Sequence, residues 1–412
     1  MDIKNKQILL EKYAEVIIKV GVNLQENQVL CLRTPVECIE LAREIVKAAY
    51  KAKAKYVLVQ YSDDLISREM YNNVSDEILE NVPEYTVKQH EYLVEENACL
   101  VSIAAPTPHV FEGIDPMKFK KASIASMKKL GFFKKYTMEN KGQWLVVSYP
   151  TQAWANEVFK DDENAYEKLF NAILEASRVR VDNDPVKEWE KHIETLARHN
   201  KILNDYNFKT LKFKNSLGTD LSVDLVENHI WGGGGEQAQN GVWFAPNIPT
   251  EETFTMPHSH GVNGRVCSTK PLNFSGSLIE NFYLDFKDGQ VVNFHAEKCE
   301  DALKALLETD EGAKRLGEVA LISHDSPISN TNILFYNTLF DENASCHLAL
   351  GNAYTMNIKD GYVLSEEELM KKGYNKSIVH VDFMFGSSDM QITGITQDGK
   401  EVVVFKDGNF AF

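Results

Sequence analysis

Six side chains in the second half of the sequence have the chemistry of metal ligands. Glu252 lies in NIPTEETFT and Glu318 in RLGEVA. Glu342 and His347 lie in FDENASCH, and His380 and Asp382 in VHVDF. Each stands beside apolar residues or small turn residues. A carboxylate in such company is costly to bury unless positive charge faces it. Two divalent cations sharing carboxylates would supply that charge, and such pairs activate water for hydrolysis.

The segments differ in how much they specify. His380 and Asp382 are two apart in the apolar run SIVHVDFMFG. On a strand they face the same side and converge on one point. The plain alternative is a solvated surface pair, which the apolar run disfavours. Glu342 and His347 are five apart, unlike the i, i+4 pair of an H-E-x-x-H helix. A turn through Ala344 and Ser345 would let both reach one cation. DENAS reads equally well as a helix start with Glu342 in its first turn. Glu318 follows Gly317, which frees the backbone, and precedes VALI; a lone Glu there is ordinarily exposed. Between Glu251 and Glu252, Glu252 is preferred because it directly precedes Thr253-Phe254, where the chain becomes extended. His258 and His260 are candidates for the substrate side, and equally ordinary loop histidines.

Two motifs point away from nucleotide and serine chemistry. WGGGG (231–235) lacks the GxGxxG or GxxxxGK[ST] pattern of a phosphate loop. Its glycines would let backbone approach a ligand or another subunit closely. No GxSxG elbow occurs. Cys346 adjoins His347, but neighbours on an extended segment face opposite ways.

Elements to hold these residues can be read along the chain. Apolar runs at 29–33, 56–62, 98–105 and 144–150 predict strands. Helical periodicity at 37–51, 82–96 and 116–136 predicts intervening helices. Short links between them favour an open parallel sheet covered by helices on both faces. A charged helical stretch over 162–204 is broken by DNDP at 182–185. The boundary falls near 185–205, giving an α/β domain over 1–195 and an α+β domain over 196–412 that carries the metal site. In the second half, 208–215 and 220–226 alternate like half-exposed strands around Leu217-Gly218. Asp288-Gly289 centres a hairpin over 283–297, and 392–412 contains two more such turns. The stretch 301–321 reads as the main helix of this half.

Bulk properties narrow the partners. With 412 residues, 44 Lys and Arg against 60 Asp and Glu, and a net charge of −16, the chain is poorly suited to nucleic acid or an anionic membrane surface. No signal peptide is expected from MDIKNKQILLEKYAEVII, and no run approaches the roughly 18 apolar residues of a membrane span. The six cysteines form no CxxC pair. Reduced, mostly buried thiols and a cytoplasmic location are the expectation.

At NIPTEETFT, TDEGAKRLGEVAL, FYNTLFDENASCHLALGNAY and HVDFMFGS the chain resembles the aminopeptidase T family of metal-dependent aminopeptidases, including the aminopeptidase S and PepS group. The likeness runs through essentially the whole sequence, in the family's order and spacing. It implies a dinuclear site held by Glu252, Glu318, Glu342, His347, His380 and Asp382. It also implies a role for Tyr354, in GNAY, near the reacting carbonyl, and a homodimer whose C-terminal domains meet over an enclosed cavity. The expected substrates are peptides with a free N-terminus, with Glu318 as the proton carrier. Zinc is the first candidate cation by abundance, with cobalt, manganese or magnesium as alternatives. The rival readings are a two-metal phosphoesterase and a non-catalytic two-lobed binding protein. The first is disfavoured by the lack of an Arg or Lys cluster near the ligands, Arg265 being the nearest.

Overall fold

The computed structural model describes residues 3–274 and 277–412. The chain forms two compact units. One comprises residues up to His192 together with Gly235–Pro249. The other comprises Ile193–Gly234 and Thr250–Phe412.

The first unit is built on four parallel strands: β1 (Val29–Pro35), β2 (Tyr56–Ser62), β3 (Cys99–Ile103) and β4 (Trp144–Val147), in the order β2-β1-β3-β4. The first four residues of β1, Val-Leu-Cys-Leu, are all buried. Such continuous burial is the mark of a parallel strand covered on both faces. Val29 and Cys31 pack with Leu93, Phe133 and Tyr136 from the helices Glu84–Glu95 and Pro116–Met138. Leu30 and Leu32 alternate to the other face. The helix Ile39–Lys51, which connects β1 to β2, buries Leu41, Ala42, Ile45 and Ala49 along one stripe. The returning segment Gly235–Pro249 belongs to this unit because its backbone joins β4. Val146 N–H donates to Pro246 O at 2.8 Å, and Ile248 N–H donates to Val146 O at 3.1 Å.

The DNDP break falls between the helices Ala165–Ala176 and Pro185–Tyr206. The proline stands at the first position of the second helix, where its missing N–H costs nothing.

The second unit is rich in antiparallel strands. Its larger sheet runs Leu272–Phe274, Ser277–Lys287, Pro257–Cys267, Asp220–Leu225, Thr210–Lys214, Gln391–Ile395, Glu401–Lys406 and Asn409–Phe410, with Gln290–Lys298 also paired to Ser277–Lys287. Both central residues of the Asp288-Gly289 and Asp407-Gly408 turns have positive φ, as a tight hairpin turn requires. A smaller antiparallel sheet consists of β5 (Thr253–Thr255), β6 (Leu316–Leu321), β7 (His347–Gly351) and β8 (His380–Met384), in the order β8-β7-β6-β5.

Here the structure corrects the helix expected over 301–321. The helix ends at Leu307, and 316–321 is a wholly buried strand. Asp310 breaks the helix by turning its carboxylate to other backbone groups. It accepts from Ala313 N–H at 2.8 Å and Ile378 N–H at 2.7 Å. A short apolar run such as LGEVAL has no period that separates strand from helix.

Candidate metal centre

Strand register gives the small sheet two unlike faces. Glu318, Ala349 and Asp382 form one row across β6, β7 and β8. Ala320, His347 and Met384 form the next, and Gly351 pairs with His380. Residues opposite each other in a ladder point to the same side, so one face carries Glu318, His347, His380 and Asp382. Phe254 of β5 joins the Ala320 row, and Glu252, two residues earlier, falls on the same side. The residues between the ligand types on this face are Ala320, Ala349 and Gly351. Their small size leaves the longer side chains room to lean together. The other face bears Val319, Leu321, Leu348, Leu350 and Phe383, all in the main hydrophobic core.

A β-bulge between Leu316 and Glu318 makes this sorting possible. Leu316 and Glu318 have the same parity, so a regular strand would put both on one side. The extra residue, Gly317, sends Leu316 into the core and Glu318 to the site face. A Cβ at 317 would lie 2.4 Å from the carbonyl oxygens of Gly351 and Asn352. The glycine that reads in sequence as freeing the backbone is thus a close-approach residue inside a strand. Glu318, at a place where a lone glutamate is ordinarily exposed, is 5% exposed.

The side chains converge. His347 Nε2 lies 3.4 Å from Glu252 Oε2 and 3.3 Å from Glu318 Oε1. His380 Nε2 lies 3.7 Å from Glu318 Oε2 and 3.3 Å from Asp382 Oδ1. Ligand atoms of Glu252, Glu318 and His347 form one group of metal-binding size, and those of Glu318, His380 and Asp382 form another. Glu318 belongs to both. Glu342 stands outside these two groups. It follows the short helix Thr338–Asp341, and it lines a cavity together with Asp382. Its backbone carbonyl accepts from His347 Nδ1 at 2.9 Å. Glu251, the alternative to Glu252, is not in either group; its N–H donates to Asn343 Oδ1 at 2.8 Å. His258 and His260 also lie outside, on the strand Pro257–Cys267. Cys346 is buried and bonded to the backbone of Ile322. The six cysteines are all unpaired, and Cys31, Cys38, Cys99 and Cys346 are buried.

Hydrogen bonds fix the two imidazoles for coordination. A carbonyl oxygen only accepts, so Nδ1 of His347, facing Glu342 O, must carry its hydrogen. The same holds for Nδ1 of His380, 2.7 Å from Asn352 O. Each ring therefore presents Nε2 to the carboxylates, the arrangement that orients histidine toward a metal.

The electrostatics point the same way. Burial pushes the Glu252 carboxyl up to about 7, against the pull of His347. Burial and the charges of Asp382 and Glu252 push Glu342 well above the usual carboxylate range. Burial would lower His347, but its contact with Glu318 and the charges of Asp382 and Glu252 hold it at about 10. His380 is likewise held at about 9, chiefly by Asp382. Asp382 Oδ1 is within ion-pair distance of His380 but lacks hydrogen-bond geometry, leaving a buried oxygen with no hydrogen-bond partner. A buried oxygen in that state calls for a cation or a donor. Mixed carboxylate and imidazole donors, with the Nε2 atoms aimed inward, fit divalent metal ions, which would take the place of the Nε2 protons.

The glycine run found in the sequence has its explanation here. Gly232 and Phe254 exchange both backbone hydrogen bonds, at 3.0 and 2.9 Å. Gly233 has φ +128°, and a Cβ there would sit 2.3 Å from Glu252 O. The close partner is neither a ligand nor another subunit but the strand that presents Glu252. Asn343, which has no chemical signature within DENAS, is fully buried. It ties Glu251 N–H to Leu339 O through its two amide atoms.

A buried face of this composition defines a metal-binding hydrolytic class. The family model described as thermophilic metalloprotease (M29) matches residues 6–410. Aminopeptidase 2 of Geobacillus stearothermophilus is 46% identical over 405 residues, covering 98% of each chain. Aminopeptidase AmpS of Bacillus subtilis (strain 168) is 44% identical with the same coverage. The structure of wild-type AmpT from Thermus thermophilus superposes with a TM-score of 0.90 at 35% identity, covering 98% of this chain and 99% of that one. The chain belongs to the M29 metalloprotease family. It is an enzyme, a metallo-aminopeptidase of the hydrolase class.

Proposed function

We propose that this enzyme releases the N-terminal residue of peptides at a site for two divalent cations, held by Glu252, Glu318, Glu342, His347, His380 and Asp382. The observation that carries the reading is the position of Glu318. Its two oxygens face two different histidines, and it is common to both ligand groups. In this reading Glu252 and His347 serve one cation, His380 and Asp382 the other, Glu318 is shared, and Glu342 reaches the cluster from the cavity side. When bound, such cations supply Lewis acidity, which acidifies water and polarises a carbonyl. The oxygen and nitrogen donors suit zinc, cobalt or manganese, and magnesium less well.

The chain's own groups then have defined tasks. Glu318 accepts the proton of the attacking water and returns it to the leaving amine. Tyr354 stands against His380, with ring centroids 4.7 Å apart. Burial and the neighbouring carboxylates raise its phenol above the ordinary value. It therefore keeps its proton at neutral pH and can donate a hydrogen bond to the oxyanion of the tetrahedral intermediate. The α-amino group of the substrate would bind a cation or an acidic side chain of the cluster, which selects free N-termini.

The test pairs metal content with kinetics. Glu318→Gln is expected to lower kcat at least about a thousandfold, with fewer than two metals per chain by elemental analysis. Tyr354→Phe is expected to keep both metals and lose roughly a hundredfold in kcat. Two metals and unchanged kcat in Glu318→Gln would refute the shared-ligand assignment.

A cytoplasmic homodimer completes the reading. Its support is the acidic balance, the unpaired buried thiols and the family resemblance. Among the described residues no helix is long and apolar enough to cross a membrane. Sedimentation at micromolar concentration reads the assembly directly.

A further inference from the structure

The small sheet ends in β8, the strand that carries His380 and Asp382. β6 and β7 are buried along their whole lengths, whereas His380, Val381 and Asp382 are half-buried. Antiparallel pairing directs the backbone groups of alternate residues toward the neighbouring strand and those of the residues between them away from it. Val379 C=O accepts from Asn352 N–H at 2.7 Å, and Phe385 N–H donates to Cys346 O at 3.0 Å. The odd-numbered residues therefore bond to β7, and His380, Asp382 and Met384 turn their N–H and C=O groups outward. Met384 C=O accepts from Thr269 N–H at 2.9 Å, which closes the edge at that end. At the other end Ile378 N–H donates to Asp310 Oδ2 at 2.7 Å. Between these stops, the backbone N–H and C=O groups of His380 and Asp382 have no hydrogen-bond partner in any other described residue.

An open edge is a template for another extended chain, and proteins ordinarily cover one. This edge is open over two outward-facing residues, and the side chains of both are proposed ligands. A window of that length suits a few residues of peptide. It is too short for sheet-to-sheet pairing with a second copy of the chain. We propose that a peptide substrate pairs with His380 and Asp382 as an added strand, so that main-chain hydrogen bonds hold its first carbonyl at the cluster. The inference rests on the aminopeptidase reading above. Main-chain pairing gives affinity without regard to side-chain identity. An enzyme that binds in this way acts on many sequences, and its rate rises with peptide length until the window is filled. The added strand would bond to β8 through every second residue, in whichever direction it runs.

The experiment compares kcat/KM of the wild-type holoenzyme for an alanine pentapeptide and for two forms of it, N-methylated at the third or at the fourth residue. The second residue is left alone because its nitrogen belongs to the bond that breaks. One of the two forms should lose about tenfold or more, the equivalent of one or two hydrogen bonds, while the other stays within about twofold of the parent. An ester oxygen in place of the same N–H removes the donor without adding a methyl group, and should reproduce the difference. Because one enzyme is read on several substrates, the folding of variants does not enter. Equal kcat/KM in the two forms, whether matching the parent or lowered alike, overturns the pairing and leaves the aminopeptidase reading standing. An edge occupied by a second copy would give that same result. A wild-type enzyme that cleaves neither the unmodified pentapeptide nor an alanyl arylamide overturns the aminopeptidase reading, and this one with it.

Discussion

Glu236, outside the unit that carries the ligand residues, illustrates how a single buried acid sets pH dependence. Burial pushes its carboxyl up to about 7, and the hydrogen bond from Asn140 Nδ2, at 3.1 Å, only partly opposes this. The unfolded chain releases the same proton near 4.5. Protonated Glu236 thus favours the folded state below pH 4.5, and that contribution is lost as pH rises toward 7. Glu236→Gln, neutral throughout, should be more stable than wild type at pH 8 by roughly 1–2 kcal/mol, after allowance for partial exposure. Near pH 4 the gain should vanish. Urea unfolding of both proteins at the two pH values checks the sign; a gain that is larger at pH 4 contradicts it. At this scale much of the candidate site was legible. His380 and Asp382 were readable from their i, i+2 spacing in an apolar run, and Glu252 from the extended segment it precedes. Asn343 was not, because a buried amide carries no local signature.

Among the elements, β6 shows best where sequence reading runs out. The parallel strands of the first unit announced themselves through long apolar runs separated by amphipathic helices. LGEVAL is six residues long and contains a charge, so its period is ambiguous, and only pairing with β5 and β7 makes it a strand. The bulge at Gly317 is equally invisible, since it exists only relative to a partner. Gly317→Ala is expected to destabilise the protein by about 1–3 kcal/mol, because the new Cβ meets backbone carbonyls that cannot rotate away. Activity should fall as Glu318 shifts. Gly131→Ala, in the helix Pro116–Met138 with open space around its Cβ position, should instead be neutral or stabilising by up to about 1 kcal/mol. Thermal melts of the pair separate close approach from a general intolerance of glycine replacement; equal shifts would remove the argument.

For the whole molecule, the proposed ligands come from four separated stretches of chain between 252 and 382, so a cation bound by them stabilises the folded second unit and has nothing comparable to bind in the unfolded chain. At a free-ion concentration a thousandfold above Kd this linkage amounts to about 4 kcal/mol. Dialysis against a chelator should abolish peptidase activity and lower the melting temperature by several degrees, and zinc or cobalt should restore both. A melting curve that ignores chelation would count against ligands buried in the core of the fold. The two-part α/β and α+β layout was legible because patterning changes near the middle of the sequence. The return of Gly235–Pro249 to the first unit was not, since two short strands and a backbone pairing with β4 leave no periodic trace.

Gly233 carries a constraint that can be read by selection. Its φ of +128° and the 2.3 Å gap to Glu252 O close the position to every other side chain. Its neighbours differ. A side chain at 232 would meet only Met356 Cε, at 3.9 Å, while 234 combines φ +81° with a movable Leu196 methyl at 2.8 Å. A library randomised over these three codons and selected for growth on a peptide nutrient should return glycine alone at 233, mostly glycine at 234, and a broad spectrum at 232. The glycine tract would then be an address for one glutamate, with unequal letters.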